Sequence, residues 1–313
     1  MRHELDAREY KLLLTPERFS NSSAATVAAF WNDKLCPLID DQLGSRNDGE
    51  ARHHGWFGAP VERTIRFWDT RDGLFTRLDL ALRERVTVLG SQPTGLPEIT
   101  VKLRMPDLFV VAATELPGSN ADARTTFEED IAPLEVDNPT PGGRCVVIAS
   151  KRSIRSRFSL STTQTARWKA NPTVRDLARL LPTLSELVTT SGTIYEPGAP
   201  LESGVAIREL VFKGATVKLG SGVIGKFALT LWYFDDQTQS PSVAEISFKC
   251  RTPGGEMAGR AARRSLTLFT SMQSDLSDWV NSEYSSKTAL ALPSASGNAT
   301  DLPTRQTGSA RSR

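Results

Sequence analysis

The chain has 313 residues, 38 Lys and Arg against 36 Asp and Glu, and 39% hydrophobic residues, enough for one large domain with a sizeable core. The near-neutral balance disfavours a dedicated nucleic-acid binder, and the lack of any apolar run of about 18 residues excludes a transmembrane helix. Cys36, Cys145 and Cys250 are scattered without metal spacing, and the charged first eight residues lack the apolar stretch of a secretory signal, so a cytoplasmic protein without disulfide or zinc is expected.

In chain order, the first predicted strand covers residues 8–14. A helix follows at 21–43, with Val27, Phe30, Trp31, Leu35, Leu38 and Ile39 at helical spacing. Strands are then predicted at 62–68, 78–89, 98–105 and 144–160, separated by turn residues. Residues 44–58 and 133–143 read as loops. Thr173 and Asp176 form a capping box that opens a helix at 173–187, which Pro182 bends or divides. Further strands are predicted at 208–219, 226–234 and 243–251. A last helix at 256–284 carries Leu266, Phe269, Met272, Leu276 and Val280, and residues 286–313 read as a disordered tail.

Strand side chains alternate, so residues two apart share a face. By that rule Glu9 shares a face with Lys11, Arg83 with Arg85, and Lys102 with Arg104. Lys151, Arg155 and Arg157 share another, as do Glu245, Ser247 and Lys249. Two arrangements satisfy this pattern. Each ionic face is the solvated side of an open sheet, or the sheet closes and the ionic faces line a lumen. A lumen rich in Arg and Lys would need a counter-charge, and a phosphate chain with a divalent metal supplies one.

The segment TIRFWDTRDGLFTRLDLALRERV, residues 64–86, resembles the second and third strands of the CYTH superfamily, the triphosphate tunnel metalloenzymes. Trp68, Asp69 and Thr70 match the family's aromatic-Asp-Thr turn, Leu74 and Phe75 its short helical piece, and Leu82, Arg83 and Arg85 its Leu-Arg-x-Arg strand end. EITVKLR, residues 98–104, is similar to the next strand, with Lys102 at the tunnel-facing Lys. Near the start the family carries Glu-x-Glu-x-Lys, where this chain has Ala7, Glu9 and Lys11. Near the end it carries Glu-x-Glu, where this chain has Glu245 and Ser247.

The resemblance implies an α+β fold: a closed antiparallel β-barrel of about eight strands, ionic residues inside and helices outside, over residues 1–285. It implies metal-dependent hydrolysis of a triphosphate-containing small molecule, or, as the alternative, a non-catalytic module binding polyphosphate or a nucleotide triphosphate. Lys11, Arg83, Arg85 and Lys102 would serve catalysis and, with Arg104, Arg155, Arg157 and Lys213, grip phosphates. Glu9 and Glu245, with Asp235 or Glu128 as a helper, would hold Mg²⁺ or Mn²⁺. The implied partner is a small polyanionic triphosphate, with no nucleic acid or membrane involved. Other chemistry lacks support: His53 and His54 sit in a charged loop, and Ser265 and Ser271 have no His or Asp at triad spacing. The Walker and Gly-x-Gly-x-x-Gly loops are absent.

Overall fold

The computed structural model describes residues 4–20, 24–45, 50–136, 146–148, 153–234, 240–281 and 287–292. The described strands are β1 (Ala7–Leu14), β2 (His53–His54), β3 (Val61–Thr70), β4 (Leu80–Leu89), β5 (Gln92–Met105) and β6 (Arg124–Val136). They continue with β7 (Val146–Ile148), β8 (Ile154–Thr165), β9 (Leu201–Ser203), β10 (Ile207–Gly220), β11 (Val223–Tyr233) and β12 (Val243–Arg251).

Nine of these strands close on themselves in the order β10-β11-β12-β1-β6-β8-β5-β4-β3, and the β3–β10 ladder completes the ring. The expected closure is therefore present, and it is the architecture that the CYTH resemblance implies. The pairing is not wholly antiparallel: β1 runs parallel to β6, with Glu9 opposite Asp130. In a closed ring of nine strands directions cannot alternate all the way round, so one parallel neighbour is the minimum. β6 was hidden from the sequence reading, which assigned no strand between residues 105 and 144.

The outer face of the ring is apolar and covered by helices. α1 (Ala24–Phe30) and α2 (Cys36–Leu43) are joined by a π-helical turn at Trp31–Leu35, so the helix expected over 21–43 is interrupted. With α7 (Gly259–Asp275), they cover Tyr10 and Leu12 of β1 and the outward residues of β10, β11 and β12, including Phe212, Phe227, Leu229, Ile246 and Phe248. The opposite wall, with Leu82, Val101, Leu103, Phe127 and Leu160, packs against Leu74, Phe75, Val111, Leu177 and Leu184. These come from α3 (Leu74–Arg77), α4 (Leu108–Ala113), α5 (Val174–Leu180) and α6 (Leu184–Thr190). The Thr173 backbone N–H donates to the Asp176 carboxylate (3.1 Å) and the Thr173 side chain accepts from the Asp176 backbone N–H, as the capping box requires, and Pro182 lies where α5 gives way to α6.

A third apolar cluster lies inside the ring at one end: Leu13, Ile65, Phe67, Ile207, Trp232, Val243 and Ala291. Ala291 belongs to the stretch read as a tail from residue 286. Among its described residues, Thr288–Leu290 form a 3₁₀ turn, Leu290 and Leu292 pack on this cluster, and Lys287 reaches Glu245 at 2.8 Å. Packing therefore extends past the boundary expected at 285. Cys36 and Cys250 are buried free thiols whose pKa values burial pushes up to about 11. Cys145 and Lys151 lie outside the described residues. Among the described residues no helix is long and apolar enough to cross a membrane.

Candidate functional site

The turn from β3 into β4 fixes where the ring's arginines point. Asp69, 1% exposed, accepts from the backbone N–H groups of Thr70 and Phe75 (2.8 Å each) and of Thr76 (2.9 Å), and from the Thr76 hydroxyl (2.7 Å). These bonds satisfy donors at the start of α3 that would otherwise lack acceptors. Gly73 enters α3 at φ 70, a left-handed conformation suited to glycine. Asp69 and Thr70, which open the most specific part of the CYTH resemblance, the segment from Asp69 to Arg85, thus form a structural cap. It sets the β4 register in which Arg83 lies opposite Phe67 and Thr100, and Arg85 opposite Ile65 and Glu98, all interior positions.

The ionic interior divides into two clusters. The first spans β1, β5, β6 and β12. Asp130 accepts from Lys11 (2.7 Å) and Lys102 (2.8 Å), and Arg104 lies at 2.9 Å from it. Glu9 lies 3.1 Å from Lys11 and 3.4 Å from Lys249, and Lys249 also reaches Glu128 at 2.9 Å. Burial alone would raise the Glu9 carboxyl, but Lys11 and Lys249 hold it down at about 2. Burial likewise opposes charge on Lys11, yet Asp130 and Glu9 raise its pKa above the usual value. Lys102 goes the other way. Burial, reinforced by Arg104 and Lys11, lowers it to about 7 despite Asp130. Asp130 stays well below the ordinary carboxylate range because the three cations outweigh its burial.

The second cluster spans β3, β4, β5 and β10. Arg85 donates twice to one oxygen of Glu98, at 2.8 and 2.5 Å, and Arg63 lies 3.5 Å from Glu209. Glu209 also accepts from the Trp232 indole at 2.9 Å. Arg83 has no carboxylate at ion-pair distance among the described residues, and its Nε is buried without an acceptor, as is that of Arg63. Burial, together with Arg85, lowers the Arg83 pKa to about 10. Lys213 lies at the exposed edge of this cluster, just before the β10 bulge, and partial desolvation of its ammonium, with Arg63 and Arg85 nearby, lowers its pKa.

The expected phosphate-gripping residues thus fall into two groups. Lys11, Lys102 and Arg104 converge on Asp130. Arg83, Arg85 and Lys213 belong to the second cluster. Arg157 lies opposite Asp130 in the β6–β8 ladder, while Arg155 pairs with Glu135 at 2.9 Å.

The expected metal set is not brought together. Glu245 lies opposite Leu13 in the β1–β12 ladder and Glu9 opposite Lys249, four residues away on each strand, about 13 Å at ~3.3 Å per residue. Glu245 instead pairs with Lys287, and Asp235 lies outside the described residues. The carboxylates that do meet are Glu9, Glu128 and Asp130, with oxygens within 4.8 Å of one another. Oxygen donors of this kind suit Mg²⁺ or Mn²⁺. Four cationic side chains already engage these three carboxylates, however, and the cluster as arranged does not accommodate a further divalent cation.

Sequence reasoning missed Asp130, Glu98, Arg63, Glu209 and Lys287 as members of the interior. Asp130 was detectable, since it stands two residues from Glu128, but the run Glu128-Glu129-Asp130 masks the alternation. Glu129 points outward to Arg8 (2.5 Å) and accepts from Ser156 (2.8 Å).

No family model matches the sequence, and no curated protein matches it. Among solved structures, a candidate adenylyl cyclase from Hippeastrum, described as having a dominant triphosphatase activity, aligns at 15% identity and a TM-score of 0.42. That alignment covers 90% of this chain and 93% of the other. A candidate adenylate cyclase from Bacillus halodurans aligns at 12% identity and a TM-score of 0.36, over 90% of this chain and 95% of the other. One from Vibrio parahaemolyticus aligns at 12% and 0.31, over 88% and 94%. Likeness this distant says nothing of function.

Proposed function

We propose that the ring interior binds a small polyanion bearing a triphosphate. The observation that carries this reading is Arg83: among the described residues it has no carboxylate at ion-pair distance, its Nε is buried without an acceptor, and it stands beside Arg63, Arg85 and Lys213. Glu98 and Glu209 act on Arg83 only at longer range, and a phosphate oxygen would supply the close charge and the acceptor it lacks. Lys11, Lys102, Arg104, Arg155 and Arg157 would extend the grip around the ring to further phosphates. We place this binding in the cytoplasm, where free thiols such as Cys36 and Cys250 persist.

Titration calorimetry with inorganic triphosphate tests the reading. Saturable one-to-one binding that weakens with salt is expected. Absence of binding at low ionic strength overturns it.

The meeting of Glu9, Glu128 and Asp130 favours a second reading, metal-dependent hydrolysis of the bound triphosphate. It requires these oxygens to be released from Lys249 and Lys11. Phosphate release from inorganic triphosphate, ATP and thiamine triphosphate with Mg²⁺ and Mn²⁺ decides it. Turnover abolished by Glu128→Gln supports hydrolysis, and binding without turnover leaves a non-catalytic module.

A further inference from the structure

Every interior carboxylate named above is already paired with a cation of the chain. Lys249 stands out because it bridges two strands' worth of acid: its ammonium lies 3.4 Å from Glu9 on β1 and 2.9 Å from Glu128 on β6, while it projects from β12. It fills the place between the two carboxylates that a bridging divalent ion would need. Lys11 and Lys102 close the remaining side by sharing Asp130 at 2.7 and 2.8 Å. At the other end of β12, Lys287 does the same for Glu245 at 2.8 Å.

Fixed ammonium groups differ from a metal ion in one decisive respect. They cannot be removed by a chelator, and they are pre-organised before the anion arrives, so the anion need not bring a counter-ion with it. A divalent ion entering the cluster would instead add two charges beside Lys11, Lys102, Arg104 and Lys249, in surroundings where like charges repel strongly.

We propose that Lys249 is a built-in counter-cation that takes the place of a divalent metal between Glu9 and Glu128, so that the ring binds its polyanion without any metal. This rests on the polyanion reading above and deepens it: the ligand is taken as the bare anion, not as its magnesium complex. Lys249 acts here as a positioning residue, because it holds Glu9 and Glu128 and, through Glu9, orients Lys11 towards the interior.

The experiment has two arms on the full-length protein. In the first, inorganic triphosphate is titrated calorimetrically in EDTA and then with excess Mn²⁺. Binding in EDTA at least as tight as with Mn²⁺ is expected, since the metal competes for free triphosphate. Binding that disappears in EDTA overturns the proposal. In the second arm, Mn²⁺ alone is titrated and followed by electron paramagnetic resonance for the wild type, Lys249→Gln and Lys249→Met. The wild type should leave Mn²⁺ free, and each variant should gain a site at least about ten-fold tighter, ~1.4 kcal/mol. Stoichiometric Mn²⁺ binding by the wild type, or folded variants that gain no site, overturns the role of Lys249. If triphosphate binds under neither condition, the polyanion reading fails, while the Mn²⁺ arm still judges Lys249. If both variants fail to fold, wild-type binding in EDTA and wild-type Mn²⁺ binding still decide.

Discussion

The two ionic clusters of one ring solve the same problem differently. Around Asp130 the chain neutralises itself: Glu9, Glu128 and Asp130 are threaded by Lys11, Lys102, Arg104 and Lys249. Around Arg83 it does not. Glu98 and Glu209 are engaged by Arg85, Arg63 and Trp232, and Arg83 is left over. Buried charge is tolerated only when paired. The self-neutralised side therefore serves the fold as much as the ligand, whereas the Arg83 side is where an incoming anion changes the balance most.

The largest expected effect lies on the self-neutralised side. Asp130→Ala removes the shared partner of Lys11, Lys102 and Arg104, with a side chain only 8% exposed, and should cost about 3–5 kcal/mol of stability. Urea denaturation measures it, and added triphosphate should restore part of the loss. A stability change near zero would mean that the three cations already have solvent as an alternative.

Arg83→Ala should do the opposite. The free protein should stay as stable or gain, because a buried cation beside Arg85 is removed. Triphosphate affinity should fall roughly ten- to a hundred-fold, the value of a charge-assisted bond at about 1.5–3 kcal/mol. Denaturation and calorimetry on the same preparation read both numbers. If stability falls and affinity does not, the contrast between the clusters is wrong.

These two substitutions show how far the sequence was legible. The pairs Arg83/Arg85, Lys102/Arg104 and Glu9/Lys11 revealed ionic faces because their neighbours are apolar, as with Leu82, Val101, Leu103 and Tyr10. Where polar residues stand on both faces the alternation vanishes, which is why β6 and Asp130 escaped. The metal assignment failed for another reason. Glu9 and Glu245 share adjacent strands, but their register, set by Leu13 opposite Glu245, separates them along the ring, and pattern alone does not give register. Lys287 was invisible because six residues of a Ser- and Thr-rich stretch carry no periodicity.

That stretch gives a smaller test. Truncation before Lys287 uncovers the Ala291 contact inside the ring and leaves Glu245, 7% exposed, without its ammonium. About 1–3 kcal/mol of stability should be lost, measured by thermal or urea unfolding. A silent truncation would show that the apolar end of the ring closes without it.

The last effect concerns pH. Lys102 titrates near 7 in the folded chain against 10.5 ordinarily. Between those values the unfolded chain holds a proton that the folded chain lacks, so stability from this group rises with pH across the window and its full cost is felt below 7. Lys102→Met should flatten the pH dependence of urea unfolding between about pH 7 and 10. An unchanged slope would place the lysine in water.

The location of the anion tests the central claim most directly. A crystal structure grown with inorganic triphosphate and EDTA should show phosphate oxygens at hydrogen-bond distance from the Arg83 guanidinium, inside the ring, with Lys249 still on Glu9 and Glu128. A triphosphate held on the outer surface, or one bound inside without touching Arg83, would contradict the account.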